Sequence, residues 1–490
     1  MNNWTKEHFE EKIGSIKNKM ETESHTCEAK KEEKQCVKSD TFFLYFSVIT
    51  VQLLTLASGS SMAWTSPVLG KLYSNDTNVN PMGRPITTIE VSMLAGIPLF
   101  TNTIGMLIVP KLSDIIGRKG HLLISGVVML LSGIGLGFSS ASVTFMIITR
   151  CLFGITGCFV VLCIYLVEIC EDHNRGKFGC FTGIFNQIGH LFGFVIGPYF
   201  SVKNFSLIVI SPVLIFIIFA MMLPESPVYL LKKGKEDECK NALRKLRRNK
   251  TEEEIESDMI KLKENFKKEQ KGKIADLFKN QENLVALILS FLPMLLKYFS
   301  GVTVIFMFLA PFFDEAGTNL SGDTVAIGIA VFKILFFTLT SFIVERFGRR
   351  KMLLISSTGT SIPLFLIGIY FYLQHINSMF LVNLQWLPLT SLLFTVALFG
   401  LGLGPIPMPL ISELPRAELK AVSGSVVHAV CNIVIFAITS LYPIISESLG
   451  NHWCVWWFSL NCLLGSILMY FFLPETKGKT FDEIQAILKG

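Results

Sequence analysis

Lys297 and Lys333 stand inside long apolar runs, and no Asp or Glu lies deep in any such run to neutralise them. A lysine at the centre of a bilayer costs roughly 2.5–3.5 kcal/mol on insertion scales, so each must face a cavity or a partner. Snorkelling rescues a lysine near a helix end but hardly one at its middle. Ammonium groups can donate hydrogen bonds to the hydroxyls of a neutral solute, or they can hold an anion in a positive field. Gln187 and His190, three residues apart, share one helix face and add an amide and an imidazole. His190 and His428 read as packed residues, with a pH switch as the alternative.

A second set of residues repeats. Asp114, Gly117, Arg118 and Lys119 recur as Glu345, Gly348, Arg349 and Arg350. Glu168 and, seven residues on, Arg175 recur as Glu413 and Lys420. Pro224-Glu225-Ser226 recurs as Pro474-Glu475-Thr476. Glycine lets the chain turn tightly between helices, and the bases after it can bond carboxylates and the carbonyls of helix ends. The expectation is that Asp114, Arg118, Glu168 and Arg175, with Glu345, Arg349, Glu413 and Lys420, form inter-helix ion pairs that act as a cytoplasmic gate. Topology anchoring by basic loops is the simpler alternative.

These residues need helices long enough to cross a membrane. The 490-residue chain is 51% hydrophobic and 17% charged, with mean hydropathy +0.51, well away from the composition of a soluble domain. Apolar runs predict twelve spans near 41–63, 89–110, 121–140, 144–167, 178–200, 205–223, 284–312, 322–344, 351–373, 383–411, 421–447 and 454–473. Six spans separate the members of each repeated pair, so the two halves share one orientation, with a substrate site expected between them near the midplane. The expected division is a tail (1–40), a six-helix half (41–223), a polar linker (224–283), a second six-helix half (284–473) and a tail (474–490).

With the N-terminus inside, 38 of the 44 Lys and Arg fall on the inner side, which predicts a multi-pass protein of the cell membrane with both termini cytoplasmic. The first 40 residues have no apolar core and form no cleavable signal peptide, so the first span inserts the chain. The sequon at Asn75 lies in the long outside loop and is the expected glycosylation site, whereas Asn204 and Asn319 lie too close to membrane ends. The lipid bilayer and a small-molecule substrate, a sugar or an anion, are the expected partners.

Other classes are excluded. The 16 bases of the linker are interleaved with Glu and flanked by spans, which reads as a solvated loop and not as a nucleic-acid site. The Cys and His residues show no metal-ligand spacing, no disulfide framework and no nucleophile elbow. No phosphate-binding Gly-Lys-Ser/Thr loop appears, so ATP is not the driver. No cofactor and no enzymatic activity are expected.

The chain resembles the sugar porter family of the major facilitator superfamily, over about residues 41–490, and looks most like the insect facilitated trehalose or glucose transporters. The resemblance rests on Trp64-Thr65-Ser66-Pro67, Arg150…Gly154, Tyr165…Glu168, Pro224-Glu225-Ser226-Pro227, Gly404-Pro405-Ile406-Pro407 and Pro474-Glu475-Thr476-Lys477-Gly478-Lys479-Thr480, together with the repeated marks. It implies the fold, alternating access and a sugar substrate. It also implies a substrate set at Gln187, Lys297, Tyr298, Thr303, Lys333, Met408 and Asn432. Of these only Gln187 matches the family's residue type. The family reads Gln-Gln-x-Ser-Gly-x-Asn on span 7, where this chain has Lys297-Tyr298-Phe299-Ser300-Gly301-Val302-Thr303. Lys333 replaces an Asn on span 8, Met408 a Trp on span 10, and Cys431-Asn432 an Asn-Trp pair on span 11. Proton-coupled members carry a carboxylate on span 1; here Ser60 and Ser61 carry none, which points to facilitated diffusion. Three readings of the lysines stand: sugar donors in place of amides, an anion site, or a non-transporting sensor.

Overall fold

The computed structural model describes residues 41–139, 142–268, 274–318 and 320–475. The two tails, the sequon at Asn319 and most of the last motif lie outside the described residues, as does the side chain of Glu345.

Every described element is helical or a turn. The spanning helices of the first half are α1 (Phe42–Leu72), α2 (Thr88–Ile116), α3 (Arg118–Phe138), α4 (Val143–Ile169), α5 (Asp172–Ile196) and α6 (Val202–Ala220). The second half has α7 (Gln281–Phe299, continued by Val302–Met307 and Leu309–Glu315), α8 (Gly322–Phe347), α9 (Arg349–His375), α10 (Leu387–Leu401, continued by Pro407–Glu413), α11 (Lys420–Leu449) and α12 (Asn451–Phe472). Among the described residues eleven helices are long and apolar enough to span, and Leu387–Leu401 is a shorter apolar helix. That gives twelve in the order the apolar runs predict.

Local chemistry sets the ends. Thr41 caps α1 by accepting from Leu44 N at 3.2 Å. Thr87 and Glu90 form a reciprocal capping box at the start of α2. Gly117 and Gly348 begin α3 and α9 with φ of 93° and 88°. A β-carbon at either would run into a carboxylate, Glu225 at 2.3 Å or Glu475 at 2.7 Å, so glycine is required for two reasons. Helix α7 breaks at Gly301, whose φ of 68° is left-handed and whose face lies against the Phe458 ring.

The halves meet along two seams, α2 against α11 and α5 against α8. A third contact joins the outer part of α7 to the end of α1, where Ala310 N donates to Ser66 Oγ at 2.8 Å.

Three helices, Pro227–Lys232, Glu236–Leu246 and Glu252–Lys268, fill the segment between α6 and α7 around a small core that includes Leu230, Leu243, Ile255 and Met259. The segment is docked by charge. Glu171, between α4 and α5, is bound by Arg247 at 3.0 Å and Lys250 at 2.6 Å. Both bases also bind Asp258, Lys250 at 2.8 Å. Thr41 Oγ1 donates to Leu246 O at 2.7 Å.

Burial pushes the Asp258 carboxyl up, but the Lys250 hydrogen bond and the Arg247 charge outweigh it and hold it below the usual carboxylate range. A depressed carboxylate contributes stability above its unfolded value and loses it as pH falls through the folded one. For Lys250 burial lowers the pKa, and bonds to Asp258 and Glu171 raise it further, so it stays charged throughout acid titration. Hydrogen-exchange protection of Glu252–Lys268, measured against the intrinsic rate at each pH, is therefore expected to be high above about pH 5 and to fall below about pH 4. Asp258→Asn is expected to show much of that loss at neutral pH. Equal protection at both pH values would rule out the ionic docking.

Candidate functional site: paired clamps and a cationic centre

The repeated marks converge at the face that carries the central segment. In the first half, Arg118 Nε reaches Glu168 Oε2 at 3.0 Å, and its Nη1 reaches Asp114 Oδ1 at 2.8 Å. Lys232 binds the other oxygen of Asp114 at 3.0 Å. Glu225 accepts from the backbone N–H groups of Arg118, Lys119 and Ser226 at 2.9, 3.0 and 2.9 Å. A carboxylate against the N-terminus of α3 is favoured by the helix dipole and satisfies amides that no helical carbonyl can reach. Tyr165 in α4 donates to Pro224 O at 2.8 Å. Helices α2, α3, α4 and the end of α6 are thus tied at one point.

The second half repeats this. Glu475 accepts from Arg349 N at 2.9 Å and Arg350 N at 3.1 Å, and Arg349 reaches Glu413 at 3.3 Å. The two clamps differ in burial. The Arg118 and Glu168 side chains are 8% and 11% exposed, whereas Arg349 and Glu413 are 26% and 27% exposed.

Each of these ion pairs joins helices of one half. Asp114 and Glu168 pair with Arg118, and Glu413 with Arg349, each pair lying within one half. Arg175 and Lys420 are exposed at the starts of α5 and α11. Sequence reasoning missed Glu225, Glu475 and Lys232 as members of the clamps; the repeated Pro-Glu-Ser/Thr was the available signal.

Deep in the helices, charge is arranged differently. Lys333, midway along α8, puts its ammonium 3.7 Å from the centre of the Phe306 ring of α7. It lies within electrostatic reach of Lys297 on α7 and of His190 on α5, and Lys297 lies within reach of His428 on α11. Of these neighbours only His190 belongs to the first half, and it meets Lys333 where α8 packs on α5. Both lysines are half-buried, and neither has an acidic partner among the described residues.

Gln187, one turn before His190, is 8% exposed, and its Oε1 finds no partner among the described residues. His190 Nδ1 is 2.8 Å from Asn186 O. Asn432 sits at the α2–α11 seam, its Nδ2 3.0 Å from Met106 Sδ. Tyr298 and Met408 instead pack together against an apolar cluster with Val427 and Cys431. Thr303 is half-buried just beyond the α7 break. Gln187 and Lys333 thus stand on the paired helices α5 and α8, and Lys297 on α7 beside Tyr298, which packs with Met408 against the apolar cluster between α7 and α11.

Arg150 is buried in the first half. Its guanidinium lies 4.9 Å from the centre of the Trp64 ring and donates at 3.3 Å to Ser61 O and Thr65 Oγ1. No carboxylate neutralises it among the described residues, and no described group of three or more His, Cys, Asp and Glu could hold a metal ion.

Two like-oriented six-helix halves, clamped alike at one face and meeting around a polar centre, define a membrane carrier of the major facilitator fold. The chain belongs to the family described as sugar (and other) transporter, whose profile matches residues 13–488. It is 27% identical over 451 residues to the facilitated trehalose transporter Tret1 of Polypedilum vanderplanki, covering 91% of this chain and 88% of that one. The Culex quinquefasciatus Tret1 is 27% identical over 459 residues, covering 92% and 86%. The inward open conformation of the xylose transporter XylE from E. coli superposes with a TM-score of 0.75 at 20% identity, over 91% of this chain and 99% of that one. A POT family transporter in complex with 5-aminolevulinic acid gives 0.64 at 14% identity, over 89% and 98%. The family is one of transporters and not of enzymes.

The burial difference between the clamps sets their energies apart. Arg118→Ala leaves Glu168 enclosed without its cation, and is expected to cost about 3–5 kcal/mol. Arg349→Ala exposes a partner already wet, and is expected to cost about 1 kcal/mol or less. Thermal unfolding of the detergent-purified variants checks this; equal losses would contradict the burial argument.

Proposed function

We propose that this chain carries a sugar, a hexose or trehalose, across the cell membrane by facilitated diffusion through alternating access. The observation that carries the reading is the full-length kinship with carriers named for trehalose, in a chain that keeps both clamps. The substrate set is Gln187, Lys297, Lys333, Thr303 and Asn432, with Tyr298 and Met408 as its apolar edge. The unpartnered Gln187 Oε1 suits a sugar hydroxyl, because a buried acceptor without a donor is costly until a ligand supplies one.

Proton coupling needs a carboxylate that can be loaded and emptied within the spans. The acids of the described spans cluster at helix ends, as with Glu90, Asp114, Glu168, Glu315 and Asp323, and Arg150 rests on a carbonyl, a hydroxyl and an indole. Passive flux follows from this. The clamps supply the gate by making each half move as a body, with Arg175 and Lys420 completing the charged rim.

Uptake of labelled trehalose and glucose into oocytes expressing the chain tests the reading. Saturable uptake that equilibrates but does not accumulate, and that an imposed proton gradient leaves unchanged, is the expected result. Accumulation driven by that gradient would overturn facilitated diffusion, and no uptake of either sugar would overturn the sugar reading.

Both termini are cytoplasmic in this reading, because Lys and Arg crowd the face of the central segment. Asn75 is exposed on the opposite face, in the loop between α1 and α2. Expressed in insect cells, the chain is expected to shift on a gel after N-glycosidase treatment, and Asn75→Gln to abolish the shift. A glycosidase shift that survives Asn75→Gln would assign the glycan elsewhere.

A further inference from the structure

Four basic side chains stand on helices that pack in pairs, His190 on α5 with Lys333 on α8 and Lys297 on α7 with His428 on α11, and Lys333 reaches α7 itself over the Phe306 ring. Among the described residues no carboxylate faces them. The Lys333 ammonium is offset only by the face of Phe306, a weak substitute for a counter-charge. On α5, which packs on α8, and one turn before His190, the more than nine-tenths buried Gln187 has no donor to its carbonyl oxygen among the described residues. The site therefore lacks two things at once, an anion for the lysines and a hydroxyl for the amide.

A neutral sugar supplies only the second. Its hydroxyls can accept from an ammonium group, yet when the halves close around it both cations stay without a counter-charge at mid-depth, where an uncompensated charge is least tolerated. A sugar that also carries a carboxylate or phosphate supplies both, through charge-assisted bonds that are shorter and stronger than neutral ones.

We propose that the region between α5, α7 and α8 takes an acidic sugar, with Lys333 and Lys297 binding its anionic group and Gln187 accepting from its hydroxyls. The proposal rests on the carrier reading above and moves its substrate from neutral to acidic sugars.

The test uses the full chain, purified and reconstituted into liposomes for flux and studied in detergent by calorimetry for binding. The probes are D-glucose, trehalose, D-glucuronate and D-glucose 6-phosphate. At least one acidic sugar is expected to bind about tenfold tighter than glucose or more, the worth of one charge-assisted bond. Comparing glucuronate with glucose 6-phosphate tells a carboxylate site from a phosphate site. In the Lys297→Gln, Lys333→Gln double variant the advantage is expected to fall to within about twofold, while Lys297→Arg, Lys333→Arg keeps it.

The charge-keeping variant guards against loss by misfolding. If neither acidic sugar binds tighter than glucose, or if the advantage survives in the Gln variant, the proposal is overturned. Flux of glucose or trehalose without any acidic advantage leaves the carrier reading intact and sinks this one. Tight acidic binding with no flux of any probe does the reverse.

Discussion

Hydrocarbon solvates neither a backbone amide nor a charge, and this single constraint orders the molecule. Helices close their own hydrogen bonds, so the chain crosses only as helix. Where a helix is interrupted, protein and not lipid covers the break: Gly157 in α4 lies against the backbone of Gly105, and Gly301 in α7 against Phe458. Ser300 Oγ returns a hydrogen bond to Lys297 O at 2.7 Å beside that break. Charges are driven to helix ends, where they meet the orphan amides of the next helix. Glu225 and Glu475 arise from that encounter, each closing the start of one helix with the end of another.

The same constraint explains what the sequence made legible. A span must be apolar for its whole length, so α1 to α12 can be read directly as runs, and the sixfold offset of the repeated marks gives the halves their common orientation. The partners within the clamps were partly readable because Asp114 and Arg118 lie four residues apart on either side of the Gly117 turn. Glu168 with Arg118, and Glu413 with Arg349, required only that neighbouring helices bring their ends together. Lys232 on Asp114 was not readable, because it depends on how the central segment folds back over α2 and α3. The docking of Arg247 and Lys250 on Glu171 was hidden for the same reason: a basic run in a loop looks solvated until its acidic partner is located. At the centre, the types of Lys297, Lys333 and Gln187 were legible, and the seat of Lys333 on Phe306 was not, since it depends on how α7 and α8 pack.

The halves have diverged in opposite ways at their two ends. At the clamps they remain alike in geometry while differing in burial, Arg118 being enclosed and Arg349 partly wet. In the interior they differ in kind. The first half contributes a buried amide and a buried imidazole; the second contributes the cations. A repeat therefore preserves what every membrane half needs, a closed set of helix ends, and varies what faces the solute.

The distribution of strong and weak contacts also follows a division between body and boundary. Within each half lie the ion pairs, the carboxylate caps and the Tyr165 bond to Pro224. Along the seams the contacts are soft or small: Phe100 with Phe436 at 5.3 Å, Gly183 beneath Phe337, Gly96 beside Ser440, and Asn432 on the sulfur of Met106. Glycines at a helix crossing allow close approach without interlocking, and a sulfur acceptor makes a weak bond. Sliding one half over the other disturbs few of the strong interactions, because those connect parts that move together. Two stiff bodies with a pliable boundary, and a charged centre enclosed only when they meet, is the mechanical requirement of a rocking carrier. The fixed-volume core of a soluble enzyme distributes its bonds the other way, across every interface it has.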